Sequence, residues 1–206
     1  MSIGIFSTAY LPSLHYVSAL IKFPAVELEQ WEHYQKQTIR NRCHILSANG
    51  IQPLRIPVKN EGKLKIFTKD IKISYEEPWQ RMHWSALESA YNKSAFFEFY
   101  RDNFEKIIFS NKTFLLDLNM ELLQLILKIL SAGIKINVTN DYEKKYAEND
   151  FRSLSDAKTT ADSNYQSCVS NLQYPQVFSY KSAFIPNLSI VDLIFNVGNL
   201  SSTYLI

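Results

Sequence analysis

The sequence contains few cysteines, glycines and prolines. The two cysteines among 206 residues, Cys43 and Cys168, lie too far apart in sequence for a disulfide framework or a cysteine-rich zinc site. Five glycines and seven prolines exclude a low-complexity or fibrous chain. Since 46% of the residues are hydrophobic and 14% are aromatic, the chain can bury a sizeable core. We therefore expect one folded domain over residues 1–206.

Long apolar runs are also absent from the sequence. The nearest candidate, residues 114–130, is interrupted by polar side chains at Asp117, Asn119, Glu121 and Gln124. The N-terminus lacks the basic segment and the apolar segment of a secretion signal. These absences predict no transmembrane segment and a cytoplasmic protein.

Several common motifs are missing. The chain has no G-x-G-x-x-G, no G-x-x-x-x-G-K-[ST], no G-x-S-x-G and no C-x-x-C, which disfavours Rossmann dehydrogenases, P-loop NTPases and serine hydrolases. No H-E-x-x-H or other helical pair of histidines is present, so we predict no metal site. The residues indicate no particular cofactor.

The formal charge of +2 is too small to indicate a nucleic-acid partner. No helical segment has an arginine-rich recognition face, and we predict that the protein does not bind nucleic acid. Positive charge is nevertheless concentrated between residues 33 and 72, which contain nine Lys and Arg residues but only two acidic residues, Glu61 and Asp70. We interpret the lysines and the arginine from 55 to 72 as solvated surface.

The hydrophobic pattern predicts a mixed α/β domain. Strands are expected at residues 3–7 and 26–31, with a helix between them that begins at Ser13. A β-hairpin is expected at about 42–58 around Asn49-Gly50, because both residues tolerate positive φ. One or two further strands are expected at 62–74. Helical spacing then predicts three helices at about 79–91, 96–107 and 115–129, followed by a strand near 134–139.

The last third of the chain is less regular. Residues 140–172 are polar and predict a long loop or insertion. A final helix is expected up to Gly198, with Asn187 as its N-terminal cap. The fold class is therefore α/β, with a mixed sheet that includes the hairpin, helices packed on the sheet, and a single domain.

The polar segment at residues 33–42, HYQKQTIRNR, lies between two predicted strands and carries the main candidate site. Lys36, Arg40 and Arg42 would bind a phosphate or carboxylate. His33 would act as a general base, because its ordinary pKa lies near neutral pH. The alternative is a solvated basic loop with no ligand.

Two further polar residues lie among apolar positions of predicted helices. His83 shares a helical face with Trp79 and Leu87, so it is either a second acid or base or a core histidine bonded to a backbone group. Asp192 lies within the apolar final helix and needs a partner if it is buried. A structural ion pair with a basic residue is at least as plausible there as a catalytic role.

Four segments resemble the WbqC-like family: STAYLPSLHYVSAL, EHYQKQTIRNRCHI, MHWSALESAYNKSAFFEFY and YPQVF followed by FIPNLSIVDLIFNVG. The resemblance extends from the first strand to Gly198 and leaves out residues from about 139 to 172. It departs at Ser7-Thr8-Ala9, where many members have Gln-Pro before Tyr-Leu-Pro.

The resemblance implies a role in the biosynthesis of O-antigen or another bacterial surface polysaccharide. The implied activity is the transfer of an acyl or aminoacyl group to a sugar or amino sugar, with a nucleotide-sugar or an acyl donor as the anionic substrate. The matching blocks place His33, His83 and Asp192 among the candidate catalytic residues. The candidate substrate-binding residues are Tyr10, Lys36, Arg40, Arg42, Tyr91 and Asn187. A non-catalytic module that binds an anionic metabolite or an assembly partner is the alternative.

Overall fold

The computed structural model describes residues 2–59, 65–146, 148–155, 173–181 and 183–205. Its larger sheet contains three parallel strands, β1 (Ile3–Ser7), β2 (Ala25–Glu29) and β5 (Lys135–Val138), in the order β1-β2-β5. Parallel strands need a crossover connection, and helix α1 (Leu14–Leu20) provides the one between β1 and β2. Ser13 caps α1, as predicted, by accepting a hydrogen bond from the backbone N–H of Tyr16.

The predicted hairpin is present and forms a second, separate sheet. Its strands are β3 (Arg42–Ser47) and β4 (Gly50–Arg55), and Ser47 pairs with Gly50. The two-residue turn is therefore Ala48-Asn49, and the predicted turn at Asn49-Gly50 is wrong by one residue. Gly50 adopts a φ of 104°, which a glycine tolerates better than other residues.

The two edges of the hairpin have different surroundings. On β3, the carbonyl of His44 accepts a hydrogen bond from the N–H of Ser189, and the N–H of Leu46 donates to the Tyr91 hydroxyl. On β4, Pro53 has no N–H and cannot donate to any strand.

The three central helices lie close to the predicted ranges. They are α2 (Trp79–Tyr91), α3 (Phe97–Ile108) and α4 (Leu115–Ile129). Their apolar faces pack with α5 (Ile190–Val197) and with the parallel sheet around one main core. The prediction of a single-domain α/β protein is thus confirmed. None of the described helices is long and apolar enough to span a bilayer.

Two local predictions differ from the structure. Ser189, not Asn187, caps α5, because the Ser189 hydroxyl accepts a hydrogen bond from the N–H of Val191. The segment predicted as strands at 62–74 contains a 3-10 turn, Thr68–Asp70, and only isolated bridges; residues 60–64 lie outside the described part. The isolated bridges in this segment do not form a β-ladder.

The described part of the polar stretch at 140–172 lies along the open edge of the parallel sheet. The N–H of Ile5 donates to the carbonyl of Asn149, and the N–H of Phe151 donates to the carbonyl of Ile5. The Phe151 ring stacks on Phe6 at 5.1 Å between centroids. Residues 147 and 156–172, which include Cys168, lie outside the described part.

A buried ion pair holds the polar segment at residues 33–42 against the parallel sheet. The Arg40 side chain is about 1% exposed, and its Nε and Nη2 donate to the two carboxylate oxygens of Glu32 at 2.9 and 2.8 Å. Ser7, at the end of β1, accepts a further hydrogen bond from Arg40 at 2.9 Å. Thr38 accepts another at 3.0 Å, so the guanidinium is satisfied within the protein.

We expect Arg40→Ala to lower the free energy of unfolding by about 3–5 kcal/mol, because it leaves the Glu32 carboxylate buried without a cation. Urea denaturation of the variant measures the loss. Arg101→Ala is the matched control, since Arg101 pairs with Glu88 at the surface and its removal should change stability little. An equal effect of the two substitutions would show that the buried pair does not hold the segment.

Candidate functional site

The basic cleft, as we name it, lies between residues 34–42 on one side and residues 55–59 on the other. Ile66 and Ile71 complete its lining. The cavity has a volume of about 330 Å³, which is at the lower end of the range of small-molecule sites. Both polar side chains and apolar side chains line it, so a ligand with a charged group and an uncharged body would find partners for each.

Four basic residues line the basic cleft: Lys36, Arg42, Arg55 and Lys59. Its lining contains no acidic side chain among the described residues, and none of these four bases forms an ion pair with another described residue. Unlike a solvated charge run, they converge on one concave surface. This arrangement favours a multiply charged anion.

Arg42 and Arg55 face each other directly across the hairpin. They are register partners at the open end of β3 and β4. Like charges in this position destabilise a strand pair unless a counter-charge lies between them. The Nε of Arg42 is buried and has no hydrogen-bond acceptor among the described residues. An anionic oxygen in the cleft would satisfy both requirements.

Tyr34 adds a neutral donor to the basic cleft. Burial raises the pKa of its phenol to about 12, and the positive charges of Arg40, Arg42 and Arg55 oppose that rise. The phenol is therefore protonated at neutral pH and can donate a hydrogen bond to a ligand oxygen. The backbone N–H of Tyr34 donates to the carbonyl of Ile66, which joins residues 34–42 to the segment that completes the lining.

His83 lies behind the basic cleft and not in it. Its ring is about 4% exposed, its Nδ1 lies 2.9 Å from the Tyr10 hydroxyl, and its Nε2 lies 3.2 Å from the carbonyl of Arg55. The carbonyl accepts only, so Nε2 carries the proton and Nδ1 accepts from Tyr10. Burial lowers the pKa of His83 from 6.5 to about 4. The interpretation as a core histidine bonded to a backbone group fits this geometry.

The segment at residues 33–42 divides its basic residues between two sides. Lys36 and Arg42 line the basic cleft, whereas Arg40 turns to Glu32 and away from it. His33 is exposed and stacks on Phe67, with ring centroids 5.1 Å apart, and does not line the cleft. Of the four residues expected to form the site, the structure thus brings two together.

Asp192 and Tyr91 form a separate buried cluster. Asp192 is fully buried, and its carboxylate accepts hydrogen bonds from the Tyr91 hydroxyl at 2.9 Å, the Tyr174 hydroxyl at 2.6 Å and the Gln176 amide at 3.1 Å. All three donors are neutral, so the predicted pairing of Asp192 with a basic residue is wrong. Burial raises the pKa of this carboxyl. The cluster joins α5 to α2 and to residues 174–176.

Asn187 also has a structural role. It adopts a positive φ of 55°, and its Oδ1 accepts a hydrogen bond from the N–H of His15 at 3.0 Å. With Tyr10 and Arg42 it borders a cavity of about 40 Å³, which is too small for a sugar. Asn187 and Tyr10 are therefore near the basic cleft without lining it.

A second cavity of about 420 Å³ lies at the carboxyl end of the parallel sheet, where many α/β proteins bind ligands. Its arginines are already paired: Arg40 with Glu32, and Arg152 with Asp150 at 2.7 Å. Tyr146 donates to the buried carboxylate of Glu29 at 3.1 Å. Because these charges are satisfied within the protein, the cavity is a weaker candidate than the basic cleft.

Sequence reasoning missed Arg55, Lys59, Tyr34 and Asn41 as lining residues of the basic cleft. Arg55 and Lys59 were interpreted as solvated surface. The hairpin register contains the missing signal, because a turn at Ala48-Asn49 places Arg55 opposite Arg42. A turn at Asn49-Gly50 would instead have placed position 57 there, since a shift of one residue at the turn moves the pairing by two.

The buried imidazole predicts a pH dependence of stability. His83 has a folded-state pKa of about 4 against 6.5 in the unfolded chain, so the unfolded state binds more protons between these values. Its contribution to stability is complete above pH 6.5 and is lost as the pH falls towards 4, by at most about 3 kcal/mol. We expect His83→Gln to flatten this part of the pH profile in chemical denaturation.

The exposed His33 provides the control for that measurement. His33→Gln removes an imidazole from the surface, where it stacks on Phe67, so a flattened profile in His83→Gln alone assigns the effect to the buried ring. An unchanged profile in His83→Gln would contradict a neutral, buried His83.

Comparison with known proteins places these features in a family. The chain matches the WbqC-like protein family over residues 8–168, which takes in part of the polar stretch omitted from the resemblance and ends before residues 174–198. It is 27% identical to the uncharacterized protein Rv1507c of Mycobacterium tuberculosis, over 98% of this chain and 96% of that protein. No solved structure matches the chain significantly. The matched range includes more than half of the sequence, and the chain belongs to the WbqC-like protein family.

Proposed function

We propose that this protein binds a phosphorylated metabolite in the basic cleft and acts as a transferase in surface-polysaccharide biosynthesis. The observation that carries the proposal is the direct pairing of Arg42 and Arg55 across the hairpin, with Lys36 and Lys59 on the same cavity. A phosphate bridging the two guanidinium groups would remove their repulsion and provide the acceptor that Arg42 Nε lacks.

The remaining lining residues suit a phosphate ester better than a bare anion. Tyr34 offers a protonated phenol, while Val58, Ile66 and Ile71 offer an apolar surface for the body of the ligand. A nucleotide-sugar or a phosphorylated acyl donor has both parts. Lys36 and Lys59 lie at less enclosed positions, where they would attract the anion and neutralise further charge.

The transfer step is proposed from the family resemblance, which implies an acyl or aminoacyl group moving to a sugar or amino sugar. Of His33 and His83, only His33 is exposed, and no described residue forms a hydrogen bond with its ring. It precedes Tyr34, a lining residue of the basic cleft. We therefore assign the proton-accepting role to His33, and we assign His83 to holding the Arg55 backbone.

Replacing either facing arginine should weaken phosphate binding. We expect Arg42→Met and Arg55→Met each to raise the Kd for a nucleotide-sugar or for inorganic pyrophosphate by about tenfold to a hundredfold, because each removes a charge-assisted hydrogen bond of about 1.5–3 kcal/mol. Isothermal titration calorimetry measures the change.

Arg101→Met serves as the matched control, because Arg101 pairs with Glu88 at the surface and lies outside the basic cleft. Its Kd should equal that of the wild type. Binding that survives in the double variant Arg42→Met/Arg55→Met would place the anion elsewhere.

The alternative function is a non-catalytic module that uses the same cleft. The position of His33 outside the lining of the basic cleft supports this alternative. The two functions differ in whether the wild-type protein catalyses transfer, and a variant of His33 then tests the assigned base.

We expect His33→Ala to abolish acyl or aminoacyl transfer while leaving ligand affinity and melting temperature near the wild-type values, since within the described part of the chain the ring forms a surface stack with Phe67. Parallel measurements of transfer, Kd and thermal unfolding test this. His44→Ala is the control, because His44 is also exposed but lies on β3. Turnover retained in His33→Ala would remove His33 as the base, whereas absence of turnover in the wild type would leave the binding module as the better description.

A further inference from the structure

We infer that Asn41 makes the basic cleft selective for phosphate esters that carry a hydroxyl or amine donor close to the phosphate, as sugar phosphates do. This inference rests on the proposed function, because it assumes that the phosphate occupies the cleft. It adds the substrate class and names a residue that recognises the uncharged part of the ligand.

Ile56, the residue that follows β4, fixes the orientation of the Asn41 amide. Its Nδ2 donates to the carbonyl of Ile56 at 2.8 Å, and its own backbone carbonyl accepts from the N–H of Ile56 at 2.8 Å. A rotated amide would bring two carbonyl oxygens together, so the assignment of the nitrogen and oxygen is settled by this bond. The Oδ1 is thus the side-chain atom that these bonds leave without a partner.

That Oδ1 has no hydrogen-bond donor among the described residues. Asn41 is about 5% exposed and lines the basic cleft, so bulk solvent does not replace the missing donor. A buried acceptor without a donor is unfavourable, and native proteins satisfy almost all such groups. The next residue, Arg42, has the complementary requirement, because its buried Nε lacks an acceptor.

The two requirements together describe one kind of ligand. An anionic oxygen satisfies Arg42 Nε, and a neighbouring O–H or N–H satisfies Asn41 Oδ1. The dianion of a simple alkyl phosphate provides the first group alone. A monosaccharide phosphate provides both within one ring, and the apolar surface of Ile66 and Ile71 can contact the face of that ring.

Glucose 1-phosphate and cyclohexyl phosphate make a matched pair of probes. Both contain a six-membered ring and one phosphate ester, but only the first has hydroxyl donors. We expect calorimetry on the full chain to give about tenfold tighter binding of glucose 1-phosphate to the wild type, the effect of one satisfied hydrogen bond. In Asn41→Ala this preference should disappear, while the Kd for cyclohexyl phosphate should stay within about twofold of the wild-type value.

Gln35→Ala is the control, because it removes an exposed amide that lies outside the basic cleft, and it should keep the full preference. Equal affinity of the two probes for the wild type would overturn the inference while leaving the proposed phosphate site intact. A preference that persists in Asn41→Ala would also overturn it. Loss of binding of both probes and of pyrophosphate to the wild type would instead overturn the proposed function itself. If Asn41→Ala does not fold, the comparison of the two probes on the wild type still decides whether a donor is required.

Discussion

The ion pair between Arg40 and Glu32 is the interaction on which the geometry of the polar segment depends. A guanidinium buried beneath the surface needs a carboxylate and further acceptors, and here Glu32, Ser7 and Thr38 supply them. With Arg40 held inwards, the adjacent Asn41 and Arg42 line the basic cleft. Arg40 therefore positions the segment, while Arg42 has no ion-pair partner among the described residues.

The regular elements could be predicted because their signals are local. Helical spacing at Trp79, Leu87 and Tyr91 reflects a buried face, and the short apolar runs at β1 and β2 correspond to buried strands. The parallel order of the sheet could not be deduced, because β5 comes more than a hundred residues after β2 and pairs with it only in the folded chain.

The site was harder to predict because its geometry depends on register and on distant partners. Nothing within residues 33–42 distinguishes Arg40 from Arg42, since the difference arises from Glu32 and from the end of β1. The partners of Asp192 lie on α2 and at residues 174–176. The sequence around Asp192 therefore does not show that these partners are neutral. The pairing of Arg55 with Arg42 depends on the position of the hairpin turn, which sets the register.

A two-stranded hairpin exposes unpaired backbone along both of its edges, and such edges are sites where chains can associate by strand pairing. Here the backbone of β3 is engaged by the N–H of Ser189 and by the Tyr91 hydroxyl, while Pro53 removes a donor from β4. The open end carries two facing positive charges, which repel a third strand of the same sequence. The facing arginines of the basic cleft thus add to the features that protect the molecule against edge-to-edge aggregation.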